Sequence, residues 1–279
     1  GQGTLTVAAQ VAAEALGIDT ESIEAASLDT SVSPDGGMTA ASRMTYMVGN
    51  AVQKAARRLI EVLLDEAAKA LSLPCEELSY RGGRVYHRAD DAEGISVAEF
   101  TSRAAEAGRV MSGEATFSFP YPPEIVPANL PPGLPHVFFC YSAHVARVEV
   151  DSDLGTIDVK EIVAIHDVGR AINPIGVEGQ IEGGVAMGVG YALQEEVKLK
   201  DDGGWTDSFT EYLVPTTLDT PIITPIILEY SEPSGPFGAT GVGEAGVGPV
   251  APAVANAVAD ATGVRVTSLP IRPEALVGD

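Results

Sequence analysis

The feature that most constrains this chain is a stretch, residues 173–193, whose pattern is helical although glycine interrupts it six times ("NPIGVEGQIEGGVAMGVGYAL"). Each glycine inside a helix costs about 1 kcal/mol relative to alanine. Something must therefore approach this helix closely, either another backbone or a ligand. Gln180 is the polar side chain best placed to meet a ligand, and close helix packing alone explains the glycines equally well.

A second glycine run, "FGATGVGEAGVGP" at 237–249, contains Glu244 as its only ionisable side chain. Because glycine lets a backbone and a ligand come close together, this carboxylate is either a solvated loop residue or a base held beside a bulky group. The run leads into a helix predicted at 249–263, which has proline in its first turn and glycine at its end. Residues 264–271, "VRVTSLPI", predict a final strand.

Two more loops of small residues precede predicted helices. "GQG" at 1–3 precedes a helix at 4–17, and "TAASRMTY" at 39–46 leads into a long helix at 42–71. Helix N-termini carry free N–H groups and a partial positive charge, so these loops can bind an anion or stay solvated. Arg43 is locally unfavourable in a first helical turn; a bound phosphate would relieve the conflict, and so would a side chain pointing into solvent.

The rest of the pattern indicates a mixed architecture. A capping box starts a short helix at 96–108, and alternating apolar residues in 137–165 predict a β-hairpin with one buried face. The proline-rich stretch 118–136 can form neither a helix nor a central strand. We therefore expect an α+β fold of two mixed α/β lobes, 1–117 and 118–279, with the ligand-binding loops at their junction.

Charge and motifs exclude several classes of function. A net charge of −22 repels phosphate backbones and anionic lipid surfaces, so neither nucleic acid nor a membrane is an expected partner. No apolar run approaches the roughly 20 residues of a spanning helix, and no signal-peptide pattern opens the sequence, so we expect a cytoplasmic location. No strand–GxGxxG–helix unit with a following acidic residue occurs, and no GKS or GKT motif does, which ranks a Rossmann-type or P-loop nucleotide-binding protein low.

The cysteines and histidines indicate no metal site of their own. Cys75 and Cys140 are far apart and lack metal-ligand spacing, which argues against an iron–sulfur cluster and against a disulfide framework. Four scattered histidines are expected to be structural: His87, His136, His144 and His166.

Taken in chain order, the four loops of small residues resemble those of the C-terminal half of the molybdopterin-binding domain of the molybdenum hydroxylases. This is the family of xanthine dehydrogenase and aldehyde oxidase. The motifs "DVGRAINP…EGQIEGG" and "GPFGATGVGE…PAVANAV" carry the resemblance, which extends from Gly1 to about Pro273. Within the family, "DTSVSPDGGMTAASRMTYMVGNAV" is most similar to the medium molybdopterin subunit of bacterial nicotinate dehydrogenase, in which two polypeptides share the domain.

The resemblance implies a role for each loop. Gly1 and Gln2 would contact the pterin, and Gln180 and Gly243 would also bind this cofactor. Glu244 would be the catalytic base, and partial burial would raise its pKa in the direction that a base needs. The metal would be held by the dithiolene of the pterin and by no protein side chain. The second loop would hold the pterin and its phosphate through Ala41, Ser42, Arg43 and Thr45.

The resemblance also implies an enzyme: a molybdenum-dependent oxidoreductase that uses water to hydroxylate an electron-poor carbon of nicotinate, a purine or another N-heteroaromatic compound, or of an aldehyde. Its cofactor would be molybdenum–molybdopterin, as the mononucleotide or the cytosine dinucleotide. Partner chains would carry iron–sulfur clusters and FAD, and a large molybdopterin subunit would supply the other half of the site, whose loops are absent from this sequence. The alternative is a non-catalytic assembly or cofactor-holding subunit of the same type of complex.

Overall fold

The computed structural model of the chain describes residues 2–26, 29–31, 33–118 and 139–277, without the side chains of residues 90–93. Almost all of the proline-rich stretch 118–136, including His136, lies outside these residues, and so does Gly1. The division into lobes at residue 117 therefore stays a prediction.

The described residues form five α-helices and two three-stranded sheets, which confirms the expected α+β class. The first sheet, antiparallel and ordered β1-β2-β3, follows two helices and precedes a third. In chain order these elements are α1 (Thr4–Leu16), α2 (Met44–Leu71), β1 (Leu78–Arg81), β2 (Arg84–His87), β3 (Asp90–Ser96) and α3 (Val97–Glu106). The second sheet is ordered β4-β5-β6 and packs with two helices. Its elements are β4 (Ser142–Val150), β5 (Ile157–Asp167), α4 (Pro174–Leu193), β6 (Ile222–Leu228) and α5 (Val250–Thr262).

Three predicted helix ends are found where the local chemistry placed them. Gly17 ends α1 with φ +62°, a left-handed conformation that glycine adopts without strain. Ser96 Oγ accepts a hydrogen bond from the Glu99 N–H, while the Glu99 carboxylate accepts one from the Ser96 N–H, so the predicted capping box starts α3. Gly263 ends α5 with φ +75°.

The predicted hairpin is β4 paired with β5, and it contains an irregularity that the alternation did not show. Arg147 pairs with Glu161 and Val148 pairs with Val159, so Lys160 is the extra residue of a β-bulge. The bulge shifts the inward-facing positions of β5 by one residue. Val163, which would share the buried face with Val159 in a regular strand, therefore lies on the opposite face from buried Ile162.

Close contacts with neighbouring atoms explain four of the six glycines of α4. The helix buries Ile181, Val185 and Val189 against the sheet and α5. A Cβ atom at Gly188 would lie 2.5 Å from Val250 Cβ of α5, so the Val250 side chain packs directly against the backbone of α4. Gly176 and Gly190 are also crowded, and Gly184 meets the loop that carries Glu244. The other two, Gly179 and Gly183, face open space within the described structure.

Two predictions of local structure are wrong in detail. Residues 264–271 form no strand, because the Ile271 N–H donates to the Ala192 carbonyl at the end of α4 and the segment has no ladder partner among the described residues. The long second helix begins at Met44 instead of residue 42. Ala41 and Ser42 have φ values of +55° and +54°, which a right-handed helix excludes.

One polar contact ties α2 to the turn before the Glu244 loop. Tyr46, fully buried, donates through its hydroxyl to Ser234 Oγ at 2.9 Å, and Asn50 Nδ2 donates to the Ser234 carbonyl at 3.1 Å. Gly49 lies between them, and a Cβ atom there would meet the Pro236 ring. The N-terminal half of α2 is thereby fixed against the second part of the chain.

His144 and His166 form a pair inside the second sheet, with Nε2 atoms 2.7 Å apart. Burial, and to a lesser extent the charge of His166, lowers the pKa of His144 from 6.5 to about 4, and burial also lowers the pKa of His166. Each ring then binds fewer protons in the folded than in the unfolded protein over this pH range. We therefore expect folding stability to fall as the pH is lowered from 7 to 4.

The histidine pair is tested by urea unfolding of wild type and His144→Leu at pH 7, 5.5 and 4. Wild type should lose more free energy of unfolding over this range than the variant, because the variant lacks the ring with the most strongly lowered pKa. Parallel losses in both proteins would show that protonation of this pair does not govern acid stability.

No helix in the described part of the chain combines the length and the apolar character that a bilayer crossing requires.

Candidate functional site

Most of the predicted site residues line one cavity of about 260 Å³. It lies where the first two helices meet the second sheet and α4. Seven of the nine predicted residues are among its lining: Gln2, Ser42, Arg43, Thr45, Gln180, Gly243 and Glu244. Ala41 is not among them, although it adjoins the lining loop, and Gly1 lies outside the described residues. Residues more than 200 positions apart in the sequence are thus brought to one space.

Three helices begin at this cavity. Its lining includes Thr4 at the start of α1, Met44 at the start of α2 and Gly176 in the first turn of α4. No side chain caps α1 or α2, whereas Asn173 Oδ1 accepts from the Gly176 N–H at 3.1 Å to cap α4. Each helix start carries a partial positive charge of roughly half an elementary charge. The uncapped helix starts therefore favour an anionic group at this end of the cavity.

The loop that carries Glu244 is bound directly to the loop that carries Ser42. The Glu244 N–H donates to Ser42 Oγ at 2.8 Å. Gly241 lies against the Ser42 carbonyl, and a Cβ atom at Gly241 would overlap that oxygen. Because Ser42 is held in a left-handed conformation, its hydroxyl is aimed across the gap instead of along α2. The position of the Glu244 backbone thus depends on a residue 202 positions earlier.

On its other side the same loop packs on α4. A Cβ atom at Gly184 would lie 3.0 Å from the Gly246 backbone, and one at Gly246 would lie 3.4 Å from the Gln180 carbonyl. Next to this contact, a Cβ atom at Gly243 would lie 3.8 Å from Gln180 Oε1. Close approach between the backbones of α4 and the Glu244 loop therefore explains Gly184. The Gln180 amide lies next to this contact, beside Gly243 at the cavity.

Glu244 is the only acidic residue among the described residues that line the cavity. Its side chain is exposed in this chain, so the partial burial that we expected is not supplied by the described residues. A cofactor, a substrate or a second polypeptide would have to cover the carboxylate.

The guanidinium of Arg43 is hydrogen-bonded to its own loop, so it is neither free in solvent nor fully available to a ligand. It donates to the Met38 carbonyl at 2.8 Å and to the Gly36 carbonyl at 3.2 Å. The side chain therefore folds back to hold its own loop, which removes the conflict between an arginine and a helix start by moving the charge away from the helix axis.

Three lining residues were not singled out from the sequence. Thr4 has a buried hydroxyl, Oγ1, without a hydrogen-bond partner among the described residues. Arg170, which is exposed, is a second arginine in the lining, and Asn173 caps α4 there. The motif "DVGRAINP" contains Arg170 and Asn173, but nothing in its local pattern shows that either faces the first helix.

These residues fit a group with a polar heterocycle and a phosphate. The cavity offers uncapped helix N–H groups and the partnerless Thr4 hydroxyl for anionic oxygens, and the Gln180 amide for a heterocycle edge. The glycines of the Glu244 loop leave backbone exposed to close contact.

Comparison with known proteins identifies the family. The molybdopterin cofactor-binding domain family matches residues 1–221, and the chain belongs to this family. This confirms the resemblance to the molybdenum hydroxylases that the loop motifs indicated. The closer likeness to a nicotinate dehydrogenase subunit stays a prediction.

Relatives and solved structures agree with this assignment. The chain is 31% identical to the xanthine dehydrogenase molybdenum-binding subunit of Escherichia coli O157:H7, over 99% of this chain and 36% of the relative. It is 32% identical to the gamma subunit of the 6-hydroxypseudooxynicotine dehydrogenase complex of Paenarthrobacter nicotinovorans, over 98% of this chain and 34% of the relative. The crystal structure of quinoline 2-oxidoreductase from Pseudomonas putida 86 superimposes with a TM-score of 0.78 at 30% identity, over 99% of this chain and 35% of that one. The chain thus spans about a third of the length of the relatives it matches.

Proposed function

We propose that this chain is the part of a molybdenum hydroxylase that holds the molybdopterin cofactor and carries the catalytic base. The observation that carries the proposal is the joint placement of Gln2, Ser42, Gln180 and Glu244 around one cavity. The family membership of residues 1–221 supports the identity of the ligand. The reaction would replace a C–H bond of an electron-poor carbon by a C–O bond, with oxygen from water and with two electrons and two protons released.

Glu244 would take up a proton at its carboxylate. When bound, the molybdenum cofactor supplies Lewis acidity and accepts the two electrons. Ser42 fixes the backbone of Glu244, and the flanking glycines let the cofactor and the substrate come within hydrogen-bond reach of the carboxylate. Gln180 would bind the cofactor through its amide, and the Ser42 and Thr45 loop would line its phosphate side.

The cofactor is proposed to be the cytosine dinucleotide form. A second cavity of about 250 Å³ adjoins the first and shares Arg170 and Ile172 with it. It gives room for a nucleotide joined to the pterin phosphate. Gln10 lines it with a buried Oε1 that lacks a partner among the described residues and could accept from the amino group of a base.

The enzyme is proposed to need partner chains, namely a large molybdopterin subunit, iron–sulfur proteins and a flavin protein. The outward face of the second sheet supports a covering polypeptide, because it exposes apolar side chains, with Val145 63% and Ile222 66% exposed. A parallel strand pair such as β5 and β6 is ordinarily covered on both faces. For the substrate we propose an N-heteroaromatic compound such as nicotinate.

The proposal is tested on the purified assembly. Elemental analysis should find molybdenum, and oxidation of the extract should release a fluorescent pterin in similar amount. Turnover with an artificial electron acceptor should then be compared for pyridine carboxylates, purines and aldehydes. An assembly with no pterin would refute the proposal, whereas a loaded assembly that oxidises none of them would favour the cofactor-holding alternative.

Gln180→Ala should weaken cofactor retention roughly 2- to 10-fold, the effect of one lost neutral hydrogen bond. The measurement is molybdenum and pterin per chain after identical purification and overnight dialysis. Gln53→Ala, on α2 and outside the cavity lining, is the matched control. Full loading of the Gln180 variant after dialysis would remove this residue from the binding site.

A further inference from the structure

We infer that Arg170 is the principal cation for an anionic phosphate group of the bound cofactor. The inference rests on the proposed function and names the group that this residue recognises. Arg43 and Arg170 are the two basic residues in the described lining of the cavity. Arg43 is the one that the sequence motifs indicate, and its guanidinium is engaged elsewhere.

The two arginines differ in what their guanidinium groups contact. Arg43 donates to the carbonyls of Met38 and Gly36 and thereby holds its own loop. Arg170 uses only its backbone N–H, which donates to the Gly238 carbonyl at 2.8 Å. Its guanidinium has no hydrogen bond or ion pair within the described part of the chain. Its side chain is exposed, and in this protein of net charge −22 no carboxylate of the described residues forms an ion pair with it, so it is available to an anion in the cavity that it lines.

The backbone around Arg170 is fixed tightly. Gly169 has φ +64°, and a Cβ atom there would overlap the Gly238 carbonyl, so the two turns touch backbone to backbone. On the other side the Ala171 N–H donates to Glu229 Oε1 at 2.8 Å. The side chain therefore leaves a rigid turn, at a residue that lines the cavity.

The other polar groups define which side of Arg170 the anion occupies. The uncapped start of α1 and the partnerless Thr4 hydroxyl lie in the first cavity. The second cavity, which Arg170 also lines, has the acidic residue Glu14 in its lining. Negative charge is therefore favoured between Arg170 and the helix start, and disfavoured beyond Arg170. The planar guanidinium suits a phosphate group, since it can donate two parallel hydrogen bonds.

The experiment compares release of the cofactor from the assembled enzyme carrying wild-type chain, Arg170→Ala, Arg170→Lys or Arg57→Ala. Arg57 is an exposed arginine of α2 that lines neither cavity, so its variant controls for the change in net charge. Pterin per chain is measured after purification and then during incubation at 37 °C in low and high KCl. Unfolding midpoints are recorded for all four proteins.

Arg170→Ala should release pterin roughly 10- to 100-fold faster than wild type, the range for a lost charge-assisted hydrogen bond. Release from wild type should quicken with KCl, and release from Arg170→Ala should depend less on salt because the screened interaction is gone. Arg170→Lys should release faster than wild type yet keep the salt dependence, and Arg57→Ala should match wild type.

Two results would count against the inference in different ways. If wild type and Arg170→Ala both carry pterin, release it equally fast and respond equally to KCl, Arg170 does not bind the phosphate while the proposed function stands. If the wild-type assembly carries no pterin at all, the proposed function itself fails, and the inference with it.

Discussion

Glu244→Gln is expected to lower turnover of the assembled enzyme by about 10²- to 10⁴-fold, the usual contribution of a general base, with cofactor content unchanged. The amide has the size of the carboxylate but cannot take up a proton. The contact that positions residue 244 is made by its backbone N–H with Ser42 Oγ, so the substitution leaves it in place. The measurement is the turnover number per bound molybdenum.

The control for this prediction is Glu182→Gln. Glu182 is an exposed glutamate of α4 that does not line the cavity, and its variant should turn over like wild type. Turnover retained in Glu244→Gln at equal loading would exclude residue 244 as the base and favour a cofactor-holding role for the chain. Loss of cofactor from that variant would instead show that the carboxylate itself binds the ligand.

Gly241→Ala should remove most of the bound cofactor and destabilise the fold by about 1–3 kcal/mol, the usual cost of inserting a methyl group where no space exists. The new Cβ atom would overlap the Ser42 carbonyl, and a backbone atom cannot rotate away as a flexible side chain can. The two loops would have to separate, which breaks the hydrogen bond from the Glu244 N–H to Ser42 Oγ.

Gly248→Ala is the matched control in the same glycine run. A Cβ atom there has nothing within 4 Å in the described structure, and this glycine does not require a positive φ. Its variant should therefore keep its cofactor and its unfolding midpoint. The prediction for Gly241 would be wrong if both variants loaded and unfolded like wild type, because the two loops would then tolerate separation.

These two predictions depend on one arrangement. The Glu244 loop is clamped between the Ser42 loop and α4, through Gly241 on one side and through Gly246 against Gly184 on the other. The glycines of this run therefore serve two purposes, close packing between backbones and access for a ligand. In α4, Gly184 and Gly188 are packing positions, whereas in the Glu244 loop Gly243 lies beside Gln180 at the cavity.

The local elements were largely predictable because their signals are short in range. The five helices, the capping box and the β4–β5 hairpin follow from periodicity and end residues. The first sheet was missed because two of its strands have four residues each, too few for a clear alternation. The strand β6 was missed because it contains Pro225 and pairs in parallel with β5 across an intervening helix.

By itself the sequence determined which residue types are available and where helices begin, since caps, glycines and apolar spacing act over a few positions. It also indicated four loops of one character, and through them the family. Only the tertiary structure decided that Ser42 binds the backbone of Glu244, that Arg43 turns back on its own loop and that Arg170 lines the cavity. The physical reason is that these contacts join positions separated by many residues, and their geometry is set by packing between elements.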